Sequence, residues 1–140
     1  MADYETELAF VGRFWRAAEE GRPTAWRALD VVGPGMLQDA ELEHWYGAMS
    51  GRFAAGEPVQ DESDDDAYLA TGTDRRRQVF SELLDVAFTD AGIEMYGDRV
   101  RSNFLARKQL EMLQLAVGQA GKALHSKNGA ARKIAEQLAS

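Results

Sequence analysis

The residues best able to do chemistry in this chain are carboxylates, and they crowd one stretch. Six of the ten residues from Glu57 to Asp66 are acids, including the run Asp61-Glu62-Ser63-Asp64-Asp65-Asp66. Such a cluster can hold a divalent cation, dock a basic partner, or simply stay hydrated. A calcium loop of the EF-hand type requires glycine at its sixth position and a bidentate glutamate at its twelfth. With Asp61 placed first, those positions hold Asp66 and Gly72, so the motif fails twice. Val59 is the only aliphatic residue in the stretch, which predicts an acidic, solvated loop over about residues 56–73 rather than a metal site.

Other chemistry is sparse. His44 and His125 are the only histidines, and neither sits in a ligand spacing such as HExxH. Gly33-Pro34-Gly35 lacks the lysine and the preceding strand of a phosphate cradle, and no GxSxG, Walker A or GxGxxG pattern occurs. The absence of cysteine removes disulfides, thiolate metal sites and thiol nucleophiles together. The sequence therefore points to a non-enzymatic protein without a cofactor.

Arg75-Arg76-Arg77 at the start of an expected helix opposes the helix dipole, so something must compensate. Asp74 and the acidic loop just upstream can do so within the fold. Alternatively these arginines, with Arg99, Arg101, Arg107 and Lys108, form a phosphate-binding face. A helix-turn-helix over residues 74–108 is a weak reading, because its connection is long and the net charge of −7 repels DNA.

Charge is strongly segregated along the chain. Residues 1–98 carry 21 Asp and Glu against 8 Lys and Arg, whereas residues 99–140 carry 8 bases against 2 acids. Such a field steers association with partners of opposite sign. Acids one helical turn apart lie about 6 Å from each other, a spacing comparable to that of phosphates on a nucleic acid. Asp39 with Glu43, Glu82 with Asp85, and the acids Glu57, Asp61, Glu62, Asp64, Asp65 and Asp66 are the candidate partner-binding set. In this respect the chain resembles in type the small acidic phage-encoded inhibitors of host defence, including DNA-mimicking anti-restriction and anti-CRISPR proteins. No motif assigns it to one such family, and its basic C-terminal part departs from a uniformly acidic mimic.

These groups must be positioned by helices. Tyr4, Leu8, Val11, Trp15 and Ala18 recur at steps of four and three, ended by Gly21 and Pro23. Thr24 is expected to cap a short helix through Val32 that turns Trp26, Leu29 and Val32 inward, broken by Gly33-Pro34-Gly35. A third helix is expected from Asp39 to about Ala55. Within it, Gly47 and Gly51 suggest close packing or a break near residue 50. Asp74 to Ala91 reads as a core helix with Leu83, Leu84, Ala87 and Phe88 on its apolar stripe and Gly92 as its stop. Asp98 or Ser102 is expected to cap a long helix to about His125, apolar nearly all round between Leu105 and Leu124. That helix is read as central to the bundle, or as offering a second face to another subunit. Asn128-Gly129 reads as a turn before a last short helix.

No segment alternates with period two, and a 45% apolar composition is that of a globular chain. The expectation is an all-α, single-domain bundle of about five to six helices with a long C-terminal helix. Its expected location is cytoplasmic, because the first residues lack a secretory pattern and no apolar run is long enough to span a membrane. The expected function is an acidic inhibitor or adaptor that docks on a basic, nucleic-acid-binding surface of a partner protein. A self-assembling structural protein, as a homodimer, and a small regulator that binds nucleic acid directly are the less favoured alternatives.

Overall fold

The computed structural model describes residues 3–124 and Leu138 in full. His125, Ile134 and the turn expected at Asn128-Gly129 lie outside those residues. Among the described residues there are six helices: α1 (Ala2–Glu19), α2 (Pro23–Val31), α3 (Ala40–Ala54), α4 (Glu62–Ala70), α5 (Asp74–Val86) and α6 (Ile93–Ala139). There is no strand among the described residues, and α6 is the long C-terminal helix that the sequence predicts. The chain divides into two compact units, Met1–Phe104 and Leu105–Ser140.

In the first unit α1 is the helix against which the others pack, meeting α2, α3 and α5. Its Phe10, Val11, Phe14 and Trp15 are buried together with Leu42, Trp45, Tyr46 and Met49 of α3, and with Val79 and Leu83 of α5. Tyr46 presents an edge-to-face geometry to Phe10 at 5.3 Å and to Phe14 at 5.0 Å. Its hydroxyl donates to the Val32 carbonyl at 2.6 Å, so the ring is buried without stranding its polar tip.

Several local expectations change. Pro23, not Thr24, opens α2; its fixed φ suits the first helical position, and Arg22 occupies the cap. Thr24 instead donates its hydroxyl to Asp90 at 3.3 Å. Trp26 is 52% exposed and lies on Phe53 rather than inside the core. Around Gly47 and Gly51 an added Cβ would meet nothing within 4 Å, and α3 runs through both without a break. The close approaches are made elsewhere, at Gly12 against Val86 and at Gly97 against Phe10.

The acidic segment expected as a loop contains a helix, α4. Asp61 caps it by accepting from the Asp64 N–H at 3.1 Å, and Glu62, Asp64 and Asp65 lie in its first turn, where the helix dipole favours negative charge. Its residues remain exposed or half-buried, so the segment is solvated but ordered. Likewise α5 stops at Val86 instead of Ala91, leaving Phe88 70% exposed. The connection is pinned from outside: Arg13 donates to the Ala91 carbonyl at 2.7 Å, and Asp90 accepts from Arg22 at 3.1 Å. With Gly92 at a φ of +80°, the chain turns there into α6, which starts earlier than Asp98 so that Ile93 and Val100 enter the core.

In the second unit the apolar side chains of α6 are in solvent. Leu110, Met112, Leu113, Leu115, Val117 and Leu124 are all more than half exposed. Among the described residues no helix is long and apolar enough to cross a membrane.

The contrast between glycines gives a direct test. A Cβ at Gly12 would lie 2.6 Å from the Val86 side chain and 3.2 Å from its backbone. Overpacking of that kind costs about 1–3 kcal/mol, more than the roughly 1 kcal/mol of helix propensity gained by alanine. Gly12→Ala is therefore expected to lower the urea midpoint, while Gly47→Ala raises stability by about 0.5–1 kcal/mol.

Candidate functional site

Three carboxylates expected or available for partners are turned into the fold at the start of α3. Glu7 of α1 is 2% exposed and accepts the Gln38 N–H at 3.0 and 2.9 Å and the Asp39 N–H at 3.0 Å. Asp39 caps α3, accepting the Glu41 and Leu42 N–H groups at 3.0 Å each. Glu43 accepts the N–H groups of Gly35 and Leu37. Each carboxylate thus satisfies backbone donors that a helix start and a tight turn would otherwise leave unpaired.

The arginine triplet belongs to the same framework. Arg75 pairs with Asp39, whose side chain is only 12% exposed. Arg76 donates to Glu41 at 3.2 Å and to the Tyr68 carbonyl at 3.0 Å, and its guanidinium lies 3.7 Å from the centre of the Tyr68 ring. Arg77 pairs with Asp74 at 2.8 Å. Asp74 compensates Arg77 as the sequence suggests, whereas Arg75 and Arg76 are met by Asp39 and Glu41 at the start of α3 rather than by the acidic segment just upstream. Arg101 donates to the Val31 carbonyl at 3.2 Å, Arg99 is exposed, and Lys108 of the second unit pairs with Glu111 at 3.2 Å. Arg107 also belongs to the second unit.

Beneath Arg76, the Tyr68 ring stacks on His44 with centroids 3.4 Å apart and planes 7° apart. The Tyr68 phenol donates to Glu41 at 2.6 Å; burial and that hydrogen bond push its pKa up to about 12. His44 is held below its ordinary value, chiefly by burial and further by Arg76, against an opposing pull from Glu41.

The remaining acids sort differently. Asp65 is bound by Arg52 at 3.0 Å, and the same guanidinium donates to the Val59 carbonyl at 3.0 Å, tying α4 to α3. Asp61 is spent as the α4 cap, and Glu82 accepts from Tyr4 and, at 3.3 Å, from Gln78. Glu57, Glu62, Asp64, Asp66 and Asp85 are exposed, with side chains that have no partner among the described residues.

Glu62 and Asp66 edge a groove of ≈ 300 Å³ between α1, α3, α4 and α5. Its wall and floor include Trp15, Trp45, Met49, Phe80 and Leu84. Phe80 lies 4.7 Å from Trp45 and 6.0 Å from Trp15, and Leu84 is half exposed. Trp15 and Trp45 each bury an indole N–H that meets no acceptor among the described residues. Among the described residues no three carboxylate or imidazole groups converge as a metal would require.

The structure thus divides the sequence-derived acidic set. Asp39, Glu43, Asp61, Asp65 and Glu82 make bonds within the fold, and the exposed side chains of Glu57, Glu62, Asp64, Asp66 and Asp85 have no partner among the described residues. Sequence reasoning missed Glu7, although its position four residues before Val11 and seven before Phe14 places it on the buried face of α1. It also missed the groove, whose residues come from four separate segments.

Two measurements check these roles. Replacing Glu7 with alanine strands two backbone donors and is expected to cost about 2–3 kcal/mol in urea unfolding. Because the folded state favours neutral His44, its contribution is complete above the unfolded value of about 6.5 and declines as pH falls through the lower folded value. His44→Asn should therefore lose less stability than the parent chain between about pH 7.5 and 5.5; equal losses contradict the assignment. Comparisons of the chain with protein-family models, with curated proteins and with solved structures return no match.

Proposed function

We propose that the chain is a non-enzymatic protein-binding module, an acidic inhibitor or adaptor that receives a basic, amphipathic surface of a partner protein. The observation that carries this reading is the groove edged by Glu62 and Asp66 over Trp15, Trp45, Phe80 and Leu84. Carboxylates without an internal partner stand beside aromatic and aliphatic surface, so one bound segment could neutralise the rim and cover the floor together. A helix or strand that interleaves lysine or arginine with leucine or phenylalanine has the required composition.

Nucleic-acid-binding surfaces combine cations with exposed aromatic and apolar side chains, which supports a nucleic-acid-processing protein as the partner class. In that form the proposal is a mimic of anti-defence type, narrowed to Glu57, Glu62, Asp64 and Asp66. Asp39, Glu43 and Glu82 are held by intramolecular bonds and contribute little to such a face.

Binding of a helical Lys/Leu amphipathic peptide, followed through the emission of Trp15 and Trp45, tests the site. Glu62→Lys with Asp66→Lys is expected to weaken binding at least tenfold, about 1.4 kcal/mol. Asp30→Lys with Asp98→Lys makes the same change in net charge away from the groove. Equal weakening by both pairs would mean that overall charge, not the groove, binds the peptide.

A further inference from the structure

The second unit carries an apolar stripe that the proposed groove does not use. Ala106, Leu110, Leu113, Val117, Ala120 and Leu124 follow one another at alternating steps of four and three residues. The register continues in sequence through Ala131, Ile134 and Leu138, interrupted once by Lys127. Alternation of four and three over more than four heptads is the pattern of a seam that faces another helix, with each side chain entering a hole between four others. Leu110, Leu113, Val117 and Leu124 are 56%, 62%, 70% and 63% exposed, and Leu138 is 83% exposed.

We infer that this face of α6 pairs in parallel, in register, with α6 of a second copy of the chain, forming a two-stranded coiled coil. Electrostatics favour an identical partner. The part of α6 from Leu105 onward is basic, yet the positions that flank the seam are almost free of charge. In a parallel pair each flanking residue meets the residue five places further on in the other copy. Those pairs are Gln109 with Gln114, Ala116 with Gly121, Ala123 with Asn128 and Ala130 with Ala135. None sets like charges against each other. Lys108, Glu111, Lys122, Arg132, Lys133 and Glu136 fall on outward positions, and Arg107 is the single flanking cation.

The dimensions also suffice. From Ala106 to Leu138 the seam would run about 48 Å at about 1.5 Å per residue. A leucine or valine covers about 60–120 Å² when fully buried. The six large residues at seam positions, Leu110, Leu113, Val117, Leu124, Ile134 and Leu138, with the alanines and flanking methylenes, approach the roughly 800 Å² per partner of a standard stable interface. In register the single Lys127 of the seam faces its own copy, the one like-charge pair along the seam, and a polar seam position of this kind restricts register and strand number at a cost in stability.

The full-length chain, free of cysteine, suits a direct test. Light scattering at tens of micromolar is expected to give twice the chain mass. Leu110→Cys is expected to form an intermolecular disulfide under mild oxidation, because in register the two seam positions face each other. Leu113→Asp with Val117→Asp is expected to give a monomer whose first unit keeps its near-UV tryptophan signal. A monomer in the parent chain, a trimer, a dimer that survives the double aspartate change, or a dimer in which Leu110→Cys does not cross-link would each overturn the proposal.

Discussion

A buried carboxylate sets the geometry of the first unit. Glu7 sits within the apolar stripe of α1 and accepts the backbone N–H groups of Gln38 and Asp39, immediately before α3 begins. A buried carboxyl group is tolerated only when its polar atoms are hydrogen-bonded, and here the free donors of a helix start supply the need. The same bonds fix where α3 enters, which places Trp45 and Tyr46 against α1 and Asp39 in reach of Arg75. Removing the Glu7 side chain would release the turn that leads into α3, on which the Asp39 cap and the Arg75 pair are built.

From that point the charge of the chain sorts into two classes. Several bases of the acidic half pair with acids distant in sequence: Arg75 with Asp39, Arg76 with Glu41, Arg52 with Asp65 and Arg22 with Asp90. The Arg52–Asp65 pair is largely shielded from solvent, so its geometry matters more than that of an exposed pair. What is left at the surface is a carboxylate excess concentrated on α4, beside the aromatic wall of the groove. A net charge of −7 therefore says little about any one acid, and its internal bonds say whether it can meet a partner.

The legible parts of this protein are those decided locally. The stripe of α1, its stop at Gly21 and Pro23, and the Asp39 cap of α3 could be read from residue types because neighbours in sequence settle them. The boundaries between α5 and α6 could not. The apolar pattern runs on through Phe88, and the bonds from Arg13, Arg22 and Thr24 to residues 90 and 91 that end the helix come from 66 or more positions away. The acidic segment was read as a loop because composition argued against burial. Its helix needs little burial, since Asp61 and the first-turn acids complement the dipole and Arg52 anchors Asp65. Glu57, Glu62, Asp64, Asp66 and Asp85 were identifiable as acids, but their freedom from internal bonds follows only from tertiary structure.

Two surfaces then stand outside the closed framework, the groove beside α4 and the apolar seam of α6, each described within its own unit. The groove reading rests on the division of the acids, and that division depends on the claim that the acids at the start of α3 are committed to the backbone. Amide hydrogen exchange measured residue by residue in the native protein tests that claim most directly. The N–H groups of Gly35, Leu37, Gln38, Asp39, Glu41 and Leu42, all accepted by Glu7, Asp39 or Glu43, should be strongly protected although they lie in a loop and a first helical turn. Exchange at the rate of an unstructured peptide would contradict the account, because those carboxylates would then be free and the division of the acids would fail.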